Sequence, residues 1–103
     1  MSMSDLYPVV DDEGFRGFLA ELLEEGYIVH PTEVGITRQV VASGSERLTE
    51  DQWPVLVRHV LERYGDPPTC KRHGGPVEWQ DALRAMQNGG YCPYCYEQVM
   101  KDD

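Results

Sequence analysis

The chain has 103 residues, of which 41% are hydrophobic and 26% charged, a balance that gives one modest core and excludes a fibrous or disordered class. Nine basic residues against eighteen acidic ones leave a net charge of -9, which repels phosphate and makes nucleic acid a poor default partner. Three cysteines are an odd number, so no closed disulfide framework is expected. With no apolar run long enough for a membrane span and no signal-peptide pattern, the expected setting is reducing and cytoplasmic.

Residues 1–10 are polar and interrupted by Pro8, with Tyr7, Val9 and Val10 expected against the core. Asp11 and Asp12 offer a helix cap. Phe15, Phe18, Leu19, Leu22 and Leu23 follow at i, i+3, i+4, i+7 and i+8, the spacing of one helix face, and Gly26 supplies the stop. Glu21, Glu24 and Glu25 fall elsewhere on that helix; with Asp11 and Asp12 they form the candidate partner-binding surface.

Residues 27–30 read as a short strand, residues 31–35 carry turn chemistry, and residues 36–42, rich in β-branched side chains, read as a second strand. The resulting hairpin would pack on the helix, since an isolated hairpin is only marginally stable. A helix followed by a hairpin has the outline of a winged helix, but its helix would present glutamates to phosphates, which argues against a DNA reader.

Thr49-Glu-Asp-Gln52 has the pattern of a capping box, and Pro54 restricts the regular helix to a start near Asp51. Trp53, Leu56, Val57, Val60, Leu61 and Tyr64 make a second apolar stripe, ended by Gly65-Asp-Pro-Pro68. Residues 1–68 carry thirteen acids and five arginines, net -8, whereas residues 69–103 carry five acids and four bases, net -1. The expected organisation is therefore an acidic unit at 1–68 with a second module at 69–103 packed on it.

That module holds the strongest chemical signal. Cys70 and His73 form one C-x2-H pair beside Gly74-Gly75, and Cys92 and Cys95 form a C-x2-C pair after Gly89-Gly90. Thiolate and imidazole are the ligands a tetrahedral zinc takes, and pairs a turn apart are the spacing it uses. The set uses every cysteine and leaves no further donor at matching spacing, so it reads as one structural Zn2+ rather than a catalytic one.

Cys70-Lys-Arg-His73-Gly, a strand-like stretch at 77–79 and Gly89-Gly-Tyr-Cys92-Pro-Tyr-Cys95 resemble the treble-clef-like zinc modules found beside homing-type endonucleases and in phage or mobile-element proteins. The resemblance spans residues 70–95. It implies a knuckle, a short hairpin and a closing helix that delivers the last two ligands. It departs at residues 81–87, which look like an inserted short helix, and no nuclease motif accompanies it. Taken alone, Cys92-Pro-Tyr-Cys95 also resembles the active-site motif of the glutaredoxins, which implies thiol–disulfide exchange. In that family most of the domain follows the motif, whereas eight residues follow it here, and Cys70 and His73 would be left unexplained.

The expected fold is α+β: a small helix–hairpin–helix unit with a C-terminal treble-clef-like zinc module. No phosphate loop and no nucleophile signature is present, and His30 and His59 stand alone as surface or capping residues. The function expected is a non-enzymatic protein-binding module, a phage or mobile-element protein that binds and modulates a host protein, its carboxylates imitating a nucleic-acid backbone to inhibit it. A nucleic-acid-binding accessory using Lys71, Arg72 and Arg84 is the second reading, and a thiol–disulfide oxidoreductase using Cys92 and Cys95 the third.

Overall fold

A computed structural model describes residues 6–101. The chain divides into two compact units, Met1–Asp66 and Pro67–Asp103. Among the described residues both are built from helices; the one β-type pairing is an isolated antiparallel bridge between Thr69 and Pro76. The α+β expectation is therefore wrong: the protein is all-α.

In the first unit a 3-10 turn, Pro8–Asp11, leads into helix α1, Glu13–Glu24. Asp12 is the N-cap, its carboxylate accepting from the Phe15 N–H at 3.1 Å, a contact that stabilises a helix by about 1 kcal/mol. The predicted stripe is buried at Phe15, Phe18, Leu19 and Leu22. At the other end Gly26 takes φ +78°, and the N–H groups of Gly26 and Tyr27 donate to the carbonyls of Leu23 and Leu22. This is a Schellman turn, which needs the left-handed conformation that glycine adopts without strain.

The predicted hairpin is absent. Residues 27–30 form an irregular connection, and the whole of Pro31–Ser43 is helix α2. Pro31 sits in its first turn, where the missing N–H is no loss, and the preceding His30 is extended as a residue before proline prefers. Ile36, Thr37 and Val40 are its buried residues, at i, i+1 and i+4. A strand would instead have put Arg38 on the same face as Ile36 and Val40. Packing against α1 outweighs the β-branched propensity, a matter of tenths of a kcal/mol per residue. Arg16 of α1 donates from Nε to the Val40 carbonyl at 3.1 Å and from Nη2 to the Val41 carbonyl at 2.8 Å, satisfying the free end of α2. Asp11 accepts from the Ser45 N–H at 2.8 Å and from its hydroxyl at 2.7 Å, anchoring the turn that follows.

Helix α3 starts as predicted. Gln52 Oε1 accepts from the Thr49 N–H at 3.0 Å while Thr49 Oγ1 accepts from the Gln52 N–H at 3.3 Å, the reciprocal capping box. The helix runs Gln52–Leu56, widens into a π segment at Val57–Leu61 and closes at Glu62–Tyr64. Trp53, Leu56, Val60 and Leu61 are buried. Trp53 stacks with Tyr7 at 6.4 Å between centroids, and Tyr64 meets Phe18 edge-on at 6.1 Å. His59 Nδ1 lies 3.2 Å from Glu33 Oε1, joining α3 to α2 at the surface.

The second unit contains helix α4, Trp79–Gln87, and helix α5, Pro93–Lys101. The treble-clef resemblance implied a hairpin strand at 77–79, but Trp79 already opens α4. Val77 is buried and its N–H donates to the Pro68 carbonyl at 2.8 Å. The short helix expected at 81–87 is the body of α4. Among the described residues, no helix is long and apolar enough to cross a membrane.

Candidate metal centre

Two tight loops bring the four predicted ligands together. In the first, the Cys70 N–H donates to the Gly75 carbonyl at 2.9 Å and the Gly74 N–H donates back to the Cys70 carbonyl at 2.9 Å. Cys70 and His73 are thereby held on one knuckle. The second loop joins α4 to α5 and is pinned to the first, the Lys71 N–H donating to the Gly90 carbonyl at 3.0 Å. Gly90 has φ +99°, a conformation that side-chain-bearing residues rarely adopt, so this turn favours glycine. Cys92 immediately precedes α5, and Cys95 lies in its first turn.

One donor atom from each of Cys70, His73, Cys92 and Cys95 lies within 4.8 Å of all the others. His73 Nε2 is 3.6 Å from Cys92 Sγ. Tetrahedral zinc, with bonds of about 2.3 Å to sulfur and about 2.0–2.1 Å to nitrogen, spaces its donors about 3.6–3.8 Å apart. The cluster is thus at the scale of one ion, and its four residues are positioned to hold a metal. The Cys92 N–H donates to Cys70 Sγ and the Cys95 N–H to Cys92 Sγ, each at 3.5 Å. Such N–H···S bonds stabilise thiolate over thiol, which is the state a metal needs.

The thiols differ in how readily they ionise. Burial pushes the Cys70 thiol up, yet the backbone N–H groups of Cys92, His73 and Arg72, together with the Cys95 thiol, outweigh it and bring Cys70 down to about 6 from an ordinary 9.0. Cys95 is pushed up to about 11, first by burial and then by hydrogen bonds to the neighbouring thiols and by their charge. Three thiolates cannot share this space at neutral pH without a cation among them. A divalent ion supplies that charge, so the donor set fits a metal on chemical grounds as well as by distance.

His73 is the adaptable member. Its Nδ1 accepts from the Gly75 N–H at 3.0 Å, which leaves the proton of the neutral ring on Nε2, facing Cys92. Nε2, the ring nitrogen nearer Cys92, would be the atom offered to a metal, with the ring proton then carried on Nδ1 in place of the Gly75 bond. The ring is exposed, so it can turn at small cost.

The candidate partner-binding residues are dispersed by comparison. Asp12 and Asp11 spend their carboxylates on the α1 cap and on Ser45. Glu24 and Glu25 are exposed at the end of α1, and Glu21 is half-buried. Lys71, Arg72 and Arg84 are exposed, the first two on the knuckle between Cys70 and His73. The Gly-Gly pairs noted beside each ligand pair in the sequence supply Gly75 and Gly90, whose carbonyls accept from the Cys70 and Lys71 N–H groups. No protein-family model, curated protein or solved structure matches this chain.

Proposed function

We propose that this protein is a non-enzymatic binding module in which Cys70, His73, Cys92 and Cys95 hold one structural zinc ion. The observation that carries the reading is that two of the four donors are themselves core. Cys70 and Cys95 are buried together with Val77 and Ala85, and Tyr91 and Cys92 pack against them. A segment this short lies below about 40 residues, where metals or disulfides usually replace a hydrophobic core. Three thiolates and an imidazole favour zinc over the oxygen-seeking Mg2+ and Ca2+. When bound, zinc supplies a crosslink between the two loops; all four positions are filled by protein, which leaves none open for a substrate.

The binding role is assigned to the acidic first unit, whose exposed carboxylates at Glu24 and Glu25, with Glu21 beside them, complement a basic surface on another protein. Metal analysis and affinity capture test the two halves separately. The purified chain should carry one zinc, and a chain that purifies folded without metal overturns the centre. The wild-type chain should retain a stoichiometric protein partner that is released by salt and lost with the combined Glu21→Gln, Glu24→Gln and Glu25→Gln variant. Equal capture by both removes the acidic surface from the proposal.

A further inference from the structure

The three thiols of the centre are not equally protected. Cys70 is fully buried and Cys95 is 4% exposed, while Cys92 is only half-buried and shares the open edge of the cluster with the exposed His73. A hollow of about 340 Å3, lined by Arg72, His73, Tyr94, Cys95 and Gln98, opens beside that edge. It has room for a molecule the size of a peroxide and is lined by Cys95 rather than Cys92, so the greater accessibility of Cys92 rests on its own partial exposure.

Resting on the zinc reading above, we propose that Cys92 is the oxidation site of the metal centre: a peroxide converts Cys92 and Cys95 to a disulfide, zinc leaves, and the C-terminal unit unfolds. Cys92 Sγ faces the first turn of α5, where it accepts from the Cys95 N–H. The donor atoms of the two residues lie within the 4.8 Å span of the cluster. The Cys92 thiolate attacks one peroxide oxygen, the O–O bond breaks, and hydroxide departs, leaving a sulfenic acid on Cys92. The Cys95 thiolate then attacks the Cys92 sulfur and displaces a second hydroxide. The two sulfurs lose two electrons, the peroxide gains them, and two protons complete two molecules of water. Only Cys70 and His73 remain as ligands, half of what a structural zinc requires.

The consequence is confined to one unit because the cysteines are its core. Among the described residues the cluster around Cys70 and Cys95 holds Val77 and Ala85, and the unit's other buried apolar side chains are Ala82 and Leu83, too few to replace the lost crosslink. The first unit has an apolar core of its own, with no thiol in it.

The test uses the full chain, purified under reducing conditions and assayed for zinc before anything is added. Hydrogen peroxide is then titrated in while a chromogenic chelator reports released zinc and peptide mapping locates the disulfide. The expected result is one zinc released per chain, free thiols falling from three to one, and a Cys92–Cys95 bond. Dithiothreitol with added zinc should restore the folded unit. A disulfide that includes Cys70, or zinc retained after peroxide, overturns the proposal while leaving the zinc reading intact. A chain that holds no zinc at the outset overturns the zinc reading itself. Since Cys92→Ser can prevent metal loading altogether, the order of attack is read on the wild-type, zinc-loaded chain with limiting iodoacetamide. Cys92 should be alkylated first, and prior labelling of Cys70 or Cys95 counts against it.

Discussion

The first unit buries Phe15, Phe18, Leu19, Leu22 and Leu56 almost completely, with Trp53 and Val60 beside them; the second buries two cysteines, a valine and an alanine around its centre. Each large side chain of the first unit contributes roughly 1.5–3 kcal/mol on burial, so its stability is spread over many contacts. On the zinc reading, the second concentrates its stability in four bonds to one ion. A distributed core degrades gradually under substitution, whereas a metal-centred one is kept or lost as a whole.

The largest effect should come from removing the metal. A strong chelator, or Cys70→Ser, should abolish amide-exchange protection across residues 67–101 while residues 13–64 stay protected, read by exchange with mass spectrometry. Loss of protection in both units would show that the difference between them is false. The converse experiment is Phe18→Ala, which should cost the first unit about 3–5 kcal/mol and leave zinc content unchanged.

Acid sharpens the same contrast. Metal and protons compete for the thiolates, so zinc affinity should fall as pH is lowered and collapse as it passes through about 6, where Cys70 also takes up its proton. Cys95, held up at about 11, should release its proton on loading near neutral pH. Calorimetry in buffers of different ionisation enthalpy measures both. The first unit should show no comparable metal-linked step.

The smallest effect is expected at Thr37. It is fully buried in α2 and its hydroxyl has no hydrogen-bond partner among the described residues. An unsatisfied buried polar group costs about 1–3 kcal/mol, so Thr37→Val should raise the melting temperature of the first unit and leave the second untouched. A lowered melting temperature would show that the hydroxyl is satisfied after all.

The clustering of the four candidate ligands was legible in the sequence because spacing alone reports it: C-x2-H and C-x2-C place their donors a turn apart in whatever fold surrounds them. The helices α1 and α3 were legible because their apolar residues repeat at helical spacing over several turns and because Asp12, Thr49 and Gln52 are capping residues. Helix α2 was not. Its β-branched Ile36, Thr37, Val40 and Val41 suggested a strand, and what decides the matter is contact with α1, including the Arg16 bonds to its last carbonyls, which no local window contains. Pro31 after an extended residue and the spacing of residues 36, 37 and 40 were the overlooked signs. The strand expected at 77–79 failed differently, through a likeness that rested on ligands and glycines and carried no information about the segment between them.

The π segment at Val57–Leu61 bears on the ancestry of α3. A π turn has the geometry left when one residue is inserted into an established α-helix and the flanking faces keep their old partners. Deleting a single residue there should relax the helix to regular α. Because the turn absorbs the extra residue, the flanking faces should keep their partners on its removal, and Tyr64 should stay against the edge of Phe18.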